Sequence, residues 1–400
     1  MKHELNIPWY LIWRFITRGN KWSLGLTIFL MAVAFINMIF ISSLFNGIIA
    51  GTNDQIINTY TGHLMLRPAS GQDTITNVSQ LLEKIEQTNT VVAASPETSV
   101  PGSLQYQGIR GGWEILAIDP SRERRVTNVA NYMIAGDYLA PDDQSGIIIG
   151  RQIAGGAEVE NDAFSFKTAR VGERVTLETA GLTKDFTIRG IFYTKFINTD
   201  SRAFITQSAL ESMLSDVNDR ATDIVIRLDK KGHEASTIAD LQSRGVSGDF
   251  LTWQDASGLM KSVTKSFLSI NVLMSTVGIM IAAITIFIVV YIDIINKRRQ
   301  IGILRAIGIK NYLIRGLYVI QTAVYSFTGV CLGTAIFFGA IVPYFKANPF
   351  VLPICDAVLV TNAADFIFRA EAVMLVALLS GLIPAILVTR VKMLDAIRGK

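Results

Sequence analysis

Four long apolar runs dominate this chain, and runs of that length leave few folds open. From Trp22 to Phe45 the only polar side chains are Ser23, Thr27, Asn37, Ser42 and Ser43. As a helix rising about 1.5 Å per residue, this stretch exceeds the roughly 30 Å of hydrocarbon in a bilayer. Backbone N–H and C=O groups find no water in lipid, so an isolated run of this kind crosses as a helix. Similar runs cover Ser266–Ile292, Gly316–Phe345 and Ala372–Val388, the last being the shortest. Of the 400 residues 50% are hydrophobic and only 18% charged, and the mean hydropathy is +0.38. Together these describe a membrane protein with a sizeable polar insert.

Short basic flanks set the orientation. Lys2, Arg14, Arg18 and Lys21 precede the first run, while Lys297, Arg298, Arg299, Arg305, Lys310 and Arg315 separate the second from the third. Arg390, Lys392, Arg398 and Lys400 close the chain, whereas the segment joining the last two runs holds just Lys346 and Arg369. Lys and Arg resist translocation, so both termini are expected in the cytoplasm and the long insert outside a cytoplasmic (inner) membrane. The first run exceeds a signal-peptide core and follows an amphipathic lead, residues 1–21, with Trp9, Trp13 and Trp22 set against Arg14, Arg18 and Lys21. It reads as an uncleaved anchor behind an interfacial helix. These flanks account for the net charge of +4, which therefore gives no support for a nucleic-acid partner. Cys331 and Cys355 fall at different depths, which argues against a disulfide.

Between Thr61 and Gly258 the pattern changes to short strand-like runs, His63–Leu66, Trp113–Ile118, Arg174–Glu178, Phe186–Phe192 and Asp223–Leu228, with helices over Val78–Gln87 and Gln207–Leu214. That length buries its own core, in one or two subdomains. Apolar residues at helical spacing continue past the membrane on both sides of it: Ile48, Ile49, Ile56 and Ile57, then Leu259, Val263 and Phe267. The expected fold is a membrane protein with four transmembrane helices in a 1 + 3 arrangement and a large α+β extracytoplasmic domain on a helical stalk between spans 1 and 2. Its parts are a cytoplasmic amphipathic helix (1–21), span 1 and stalk (22–60), the external domain (61–258), stalk and span 2 (259–294), a cytoplasmic helix (295–311), and spans 3 and 4 with a short outer loop and tail (312–400).

The segment Lys297–Lys310, KRRQIGILRAIGIK, carries the strongest functional signal. Ile301, Leu304 and Ile307 fall on one helical stripe, Ile303 lies beside them, and Gly308 stands where a helix usually stops. Its charges alone read as a topology signal and a site for anionic lipid. The apolar stripe must in addition be buried in lipid or in a partner. Within the spans, Asn37 is expected to bond a neighbouring helix, Gly329 and Gly333 to allow close packing within the chain, and Pro343 and Pro384 to kink or end their helices. No GxxxxGK[ST] loop, HExxH, paired CxxC or GxSxG motif occurs, so the chain is not expected to be an enzyme or to bind a cofactor itself. The three histidines, His3, His63 and His233, read as satisfied or solvent-facing residues.

Several further patterns occur in order: Gly136-Asp137-Tyr138-Leu139, Gly146-Ile147-Ile148-Ile149-Gly150, Val171-Gly172-Glu173-Arg174-Val175-Thr176-Leu177, Ile188-Arg189-Gly190-Ile191-Phe192, and Arg299 to Gly308. With the 1 + 3 span order, the chain resembles the MacB-type (type VII) ABC transporter permeases, a group that includes the LolC and LolE lipoprotein-release subunits. The resemblance covers nearly the whole chain. It implies a coupling helix in which Arg299, Ile301, Ile303, Leu304, Arg305, Ile307 and Gly308 engage a separate ATPase. It also implies two copies of that cytoplasmic ABC ATPase, holding ATP and Mg, beneath two permease chains, identical or paralogous, in contact with membrane lipids. Where an outer membrane exists, a periplasmic carrier or adaptor joins the expected partners. Gln300 stands where relatives often carry an acid, and Met393, before Leu394-Asp395-Ala396-Ile397-Arg398, where a proline is common. Gln321 and Thr61-Gly62-His63 resemble the lipoprotein-release branch, which implies lipoprotein or other lipid-linked cargo. Drug or peptide export of the MacB kind and FtsX-like signalling to an external enzyme are the alternatives.

Overall fold

The computed structural model describes residues 21–156, 159, 164–214, 217–256, 259–352 and 355–390. The amphipathic lead, His3 and the Leu394–Arg398 pattern lie outside the described residues. Two compact units are present, one of residues 1–50, 265–351 and 356–400, the other of residues 51–264 and 352–355.

The membrane unit contains four helices long and apolar enough to cross a bilayer. Span 1 belongs to the helix Lys21–Ile56, which passes without a break into the second unit and ends in a widened π turn, Ile57–Thr61. Span 2 belongs to Leu259–Asn296, followed by a short helix, Arg298–Ala306. Span 3 starts at Asn311 and runs as α-helix to Ile336, through a π turn at Phe337–Ile341, into Val342–Ala347. The widened turn lies just before Pro343, whose ring would otherwise clash with the preceding turn and which donates no N–H. Span 4 lies in Ala363–Arg390 and carries Pro384 inside it.

Span 4 therefore begins well before Ala372, and Arg369 lies within the helix rather than in the outer loop. Hydropathy misses this because Asp365 and Arg369 look like loop residues. On the helix they are one turn apart and form an ion pair at 3.0 Å, with Arg369 only 3% exposed. Asn37 departs from expectation in the opposite sense: it is exposed, because Phe35 and Met38 take the inward positions on that turn. Neither Cys331, which is exposed, nor Cys355, which is buried, forms a disulfide.

Gly329 and Gly333 pack span 3 directly against span 1. A Cβ on Gly329 would come within 2.8 Å of the Met31 side chain, and one on Gly333 within 3.0 Å of the Phe35 ring. The pair thus serves contact inside the chain, and Met31, Phe35 and Val330 are buried in one core with Tyr318, Phe337 and Val373.

The inserted unit is built on a twelve-stranded mixed sheet. Its path runs Asp249–Thr252, Leu64–Arg67, Asp223–Leu228, Val91–Val100, Glu114–Ile118, Arg202–Thr206, Gly146–Gly150, Leu182–Phe192, Arg174–Thr179, Gly102–Tyr106 and Ile109–Gly111. Met133–Gly136 pairs with Leu182–Phe192 off this path. The strand Gly146–Gly150 pairs parallel to one neighbour and antiparallel to the other. It is apolar throughout because both faces are covered: Ile147 and Ile149 enter one core with Leu177, Phe186 and Ile205, and Ile148 enters another with Leu116, Phe192 and Phe204. A third core, around Leu64, Ile85, Ile224, Ile226 and Leu241, lies under the helices Val78–Glu86 and Glu234–Ser243.

The close approach at Gly329 gives opposite signs for two substitutions in one helix. Gly329→Val should destabilise the purified chain by about 1–3 kcal/mol through overpacking, whereas Gly316→Ala, with nothing within 4 Å of its added Cβ, should gain up to about 1 kcal/mol of helix propensity. Thermal unfolding in detergent measures both.

Candidate functional site

The helix Arg298–Ala306 is closed at its end by a specific hydrogen-bond pattern. Gly308 adopts φ +93°, a left-handed conformation that glycine takes without strain. Its N–H donates to the Arg305 carbonyl at 3.0 Å, and the Ile309 N–H donates to the Leu304 carbonyl at 3.1 Å. These two bonds are the Schellman arrangement, and Leu304 and Ile309 each pack against the membrane core. At the other end Lys297 pairs with Asp293 at 2.7 Å, and Gln321 of span 3 reaches the same carboxylate at 3.5 Å while bonding Tyr325.

Fixed in this way, the apolar stripe divides. Ile301 is 1% exposed inside the core of the membrane unit, and Leu304 is half-buried against that core. Ile307 is 74% exposed and Ile303 46%, with Arg299 and Gly308 exposed beside them and Arg305 partly buried. The seven expected coupling residues thus lie on one short helix and its cap, but they face two ways. Three residues singled out for branch resemblance are also internal: Gln321 is buried in the membrane unit, and Thr61 and His63 are buried in the inserted unit. His63 Nδ1 accepts the Leu228 N–H at 3.3 Å, and burial, followed by the Arg227 charge, lowers its pKa. His233 pairs with Asp229 at the surface.

A second constellation fixes the end of the span 1 helix within the inserted unit. The Arg202 guanidinium lies over the Tyr60 ring at 3.8 Å and donates to the Tyr60 carbonyl at 3.2 Å. It also makes a two-pronged contact with Glu114, at 2.7 and 3.1 Å, across a parallel strand pair that places the two residues side by side. Arg227 donates to the Asn58 side chain at 3.0 Å, the Asn128 N–H to the Asn58 carbonyl at 2.6 Å, and Lys231 pairs with Asp54. Thr199 closes the set by donating to the Thr59 carbonyl at 3.2 Å. Arginine suits this place because one planar group can fork to a carboxylate and stack on a ring at once. Nothing in the sequence links Tyr60 to Arg202, so only the strand order reveals the contact.

Near this junction the inserted unit buries two acids. Glu97, on Val91–Val100, and Glu123, on the helix Pro120–Val126, are both almost fully covered. Burial raises the Glu97 pKa well above the usual carboxylate range, and the neighbouring Glu123 charge adds to it. Glu123 is also raised by burial, with hydrogen bonds from Thr127 and Ser95 opposing the shift. Burial therefore favours the protonated form of Glu97. The Tyr138 hydroxyl is pushed up by burial as well, and Arg124 lies over its ring at 4.8 Å. Arg124 and Tyr138 line two cavities, of about 350 and 330 Å³.

Residues 24–244 match the family of the MacB-like periplasmic core domain, and residues 272–393 match the FtsX-like permease C-terminal family. The chain belongs to the MacB-type permeases of ABC transporters, and permeases of this family work with cytoplasmic ABC ATPases. Among solved structures it is similar to the extracellular domain of the noncanonic ABC-type transporter YknZ from Gram-positive bacteria, at 12% identity over 47% of this chain and 97% of that one, with a TM-score of 0.34. It is similar to the periplasmic region of MacB from Actinobacillus actinomycetemcomitans at 11% identity, over 50% of this chain and 91% of that one, with a TM-score of 0.36. A domain of a putative permease protein from Porphyromonas gingivalis is 15% identical over 46% of this chain and 79% of that one, with a TM-score of 0.29. No curated protein matches the chain.

The raised Glu97 fixes a sign for pH dependence. Above the ordinary glutamate value of about 4.3 the unfolded chain releases this proton while the folded chain holds it, so stability falls as pH rises towards the folded value. Below that ordinary value nothing is lost. Glu97→Gln should therefore stabilise the full chain at pH 7 by about 1–3 kcal/mol and flatten the pH dependence of its unfolding midpoint. A neutral or destabilising effect at pH 7 would contradict a protonated Glu97.

Proposed function

We propose that this chain is the membrane subunit of an ATP-driven complex that extracts or releases lipoprotein or other lipid-linked cargo from the outer leaflet of the cytoplasmic membrane. Two cytoplasmic ATPases drive two permease chains, identical or paralogous, and a periplasmic carrier or adaptor receives cargo where an outer membrane exists. The basic flanks support cytoplasmic termini. ATP and Mg belong to the ATPase, and this chain supplies no catalytic group.

The observation that carries the coupling half of this reading is the exposed pair Ile303 and Ile307 on a helix locked at both ends. Fully burying such side chains is worth about 1.5–3 kcal/mol each, enough to anchor a partner groove. Ile301 and Leu304 hold the same helix on its own bundle, so force applied at Ile307 reaches the spans instead of bending a loose loop. The cargo half is supported by the apolar face of the span 2 helix, where Val272, Leu273, Met280, Ile281 and Ile284 are exposed. That surface suits cargo with acyl chains taken sideways from the bilayer.

Ile307→Asp should weaken ATPase co-purification at least tenfold, about 1.4 kcal/mol, with an unchanged melting midpoint. Ile301→Asp should lower the midpoint instead, because it puts a charge in the core. Wild-type ATPase recovery with Ile307→Asp would refute the docking face. For cargo, proteoliposomes holding the permease, its ATPase and a labelled lipoprotein should release the label only with hydrolysable ATP. Export of a soluble peptide or drug, or activation of an external enzyme without release, would replace the lipid-linked reading with the corresponding alternative.

A further inference from the structure

Arg369 is the most deeply buried charge in the membrane unit, and its hydrogen bonding is uneven. Its Nη2 atom donates to Ser42 Oγ of span 1 at 2.6 Å and to Ser275 Oγ of span 2 at 2.9 Å, and faces Asp365 Oδ1 at 3.0 Å. That is more acceptors than Nη2 has hydrogens. Nε and Nη1 of the same guanidinium are buried without any partner. Asp365 is correspondingly well served: its Oδ2 accepts from Ser42 Oγ at 2.5 Å and from Asn46 Nδ2 at 3.4 Å. Asn271 holds the Asn46 amide in place at 3.1 Å, one turn from the Ser42 and Ser275 layer.

Spans 1 and 4 thus supply hydroxyl, amide and guanidinium donors to the two oxygens of one carboxylate, Ser275 of span 2 accepts from the same guanidinium, and guanidinium N–H groups are left over. As placed here, the Asp365 carboxylate meets Nη2 and leaves the remaining N–H groups unbonded. A tetrahedral phosphate, with more oxygens spread in space, can take the carboxylate's place and reach Nε and Nη1 as well. The Asp365 side chain, 29% exposed, lies at the open rim of the cluster while Arg369 is 4% exposed, so the carboxylate has somewhere to go. The start of the span 4 helix lies on the membrane side that carries the inserted domain, because spans 2 and 3 return the chain to it. A buried ion in a span is tolerated when paired, and such ions mark binding sites and pathways.

We propose that Arg369, Ser42, Asn46 and Ser275 form a binding site for the phosphate of an anionic lipid headgroup in the outer leaflet, with Asp365 as the internal anion that occupies the site until lipid displaces it. The proposal rests on the four helices spanning the membrane and not on which cargo is moved. Failure of lipoprotein release would leave it standing, and loss of lipid binding would leave the coupling helix untouched.

The test uses the full chain in detergent, titrated with phosphatidylglycerol or with diacylglycerol of the same acyl chains and followed by native mass spectrometry. Wild type should prefer phosphatidylglycerol, and Arg369→Gln should weaken that binding at least about fivefold. Asp365→Asn, which removes the competing anion and keeps its size, should tighten binding at least about threefold. A purely structural ion pair predicts no gain, so this variant decides the matter even if Arg369→Gln fails to fold. Equal binding of phosphatidylglycerol by wild type and Asp365→Asn, or weaker binding by Asp365→Asn, overturns the proposal. Displacement of the lipid by inorganic phosphate, but not by chloride at the same ionic strength, would assign the site to a soluble phosphate compound and overturn the lipid assignment.

Discussion

A polar group in hydrocarbon needs a partner within the protein, and that constraint shapes the membrane half of this chain. It makes the crossings helical, since only a helix satisfies its own backbone, and it pairs the charges that cannot be avoided. Asp293 with Lys297 and Asp365 with Arg369 are each four residues apart, the second pair on a single helix and the first where the span 2 helix ends. A pair so close in sequence forms as soon as the helix does, and a span can then carry two charges at far less cost than two separate ions. Each pair also recruits other helices: Gln321 joins the first, and Ser42, Asn46 and Ser275 the second. The charges therefore tie the bundle together at two levels, while Gly329 and Gly333 bring spans 1 and 3 into contact through dispersion alone.

The inserted unit solves a different problem, which is how to hold a helix that enters from elsewhere in the chain. The helix Lys21–Ile56 contributes Met31 and Phe35 to the membrane core, and the π turn that follows presents Tyr60 to Arg202 and Asn58 to Arg227. A widened turn rotates the residues after it relative to a regular helix, so side chains that would otherwise point away are brought to the sheet. The grip combines a stacked guanidinium, a two-pronged ion pair and backbone bonds, and so it resists twisting as well as pulling. Glu97, on a strand of the same sheet, is buried at a cost in desolvation that the Arg202 charge opposes.

The sequence made some of this plain and hid the rest for identifiable reasons. Long apolar runs, the Gly308 stop and the strand Asp223–Leu228 were readable because each depends on local composition or spacing. The start of span 4 was not, because an intrahelical ion pair lowers hydropathy without preventing insertion. Asn37 and Asn46 look alike in sequence, yet Asn37 faces outward and Asn46 bonds Asn271; the difference is about half a helical turn, which hydropathy does not record. The Tyr60 and Arg202 contact and the two buried acids arise from sheet order, which no short-range pattern encodes.

The divided stripe on Arg298–Ala306 follows from geometry once the helix is recognised as short. A short helix joining two spans has one side seated on its own bundle and another turned away from it. Ile301 and Leu304 lie on the first side and Ile303 and Ile307 on the second. A single apolar stripe in sequence can serve both because 3.6 residues per turn moves each successive member around the axis: Ile301 and Ile307 are separated by most of two turns and end on different sides of the contact line. The same short helix is thereby packed on the bundle along one side and exposed along the other.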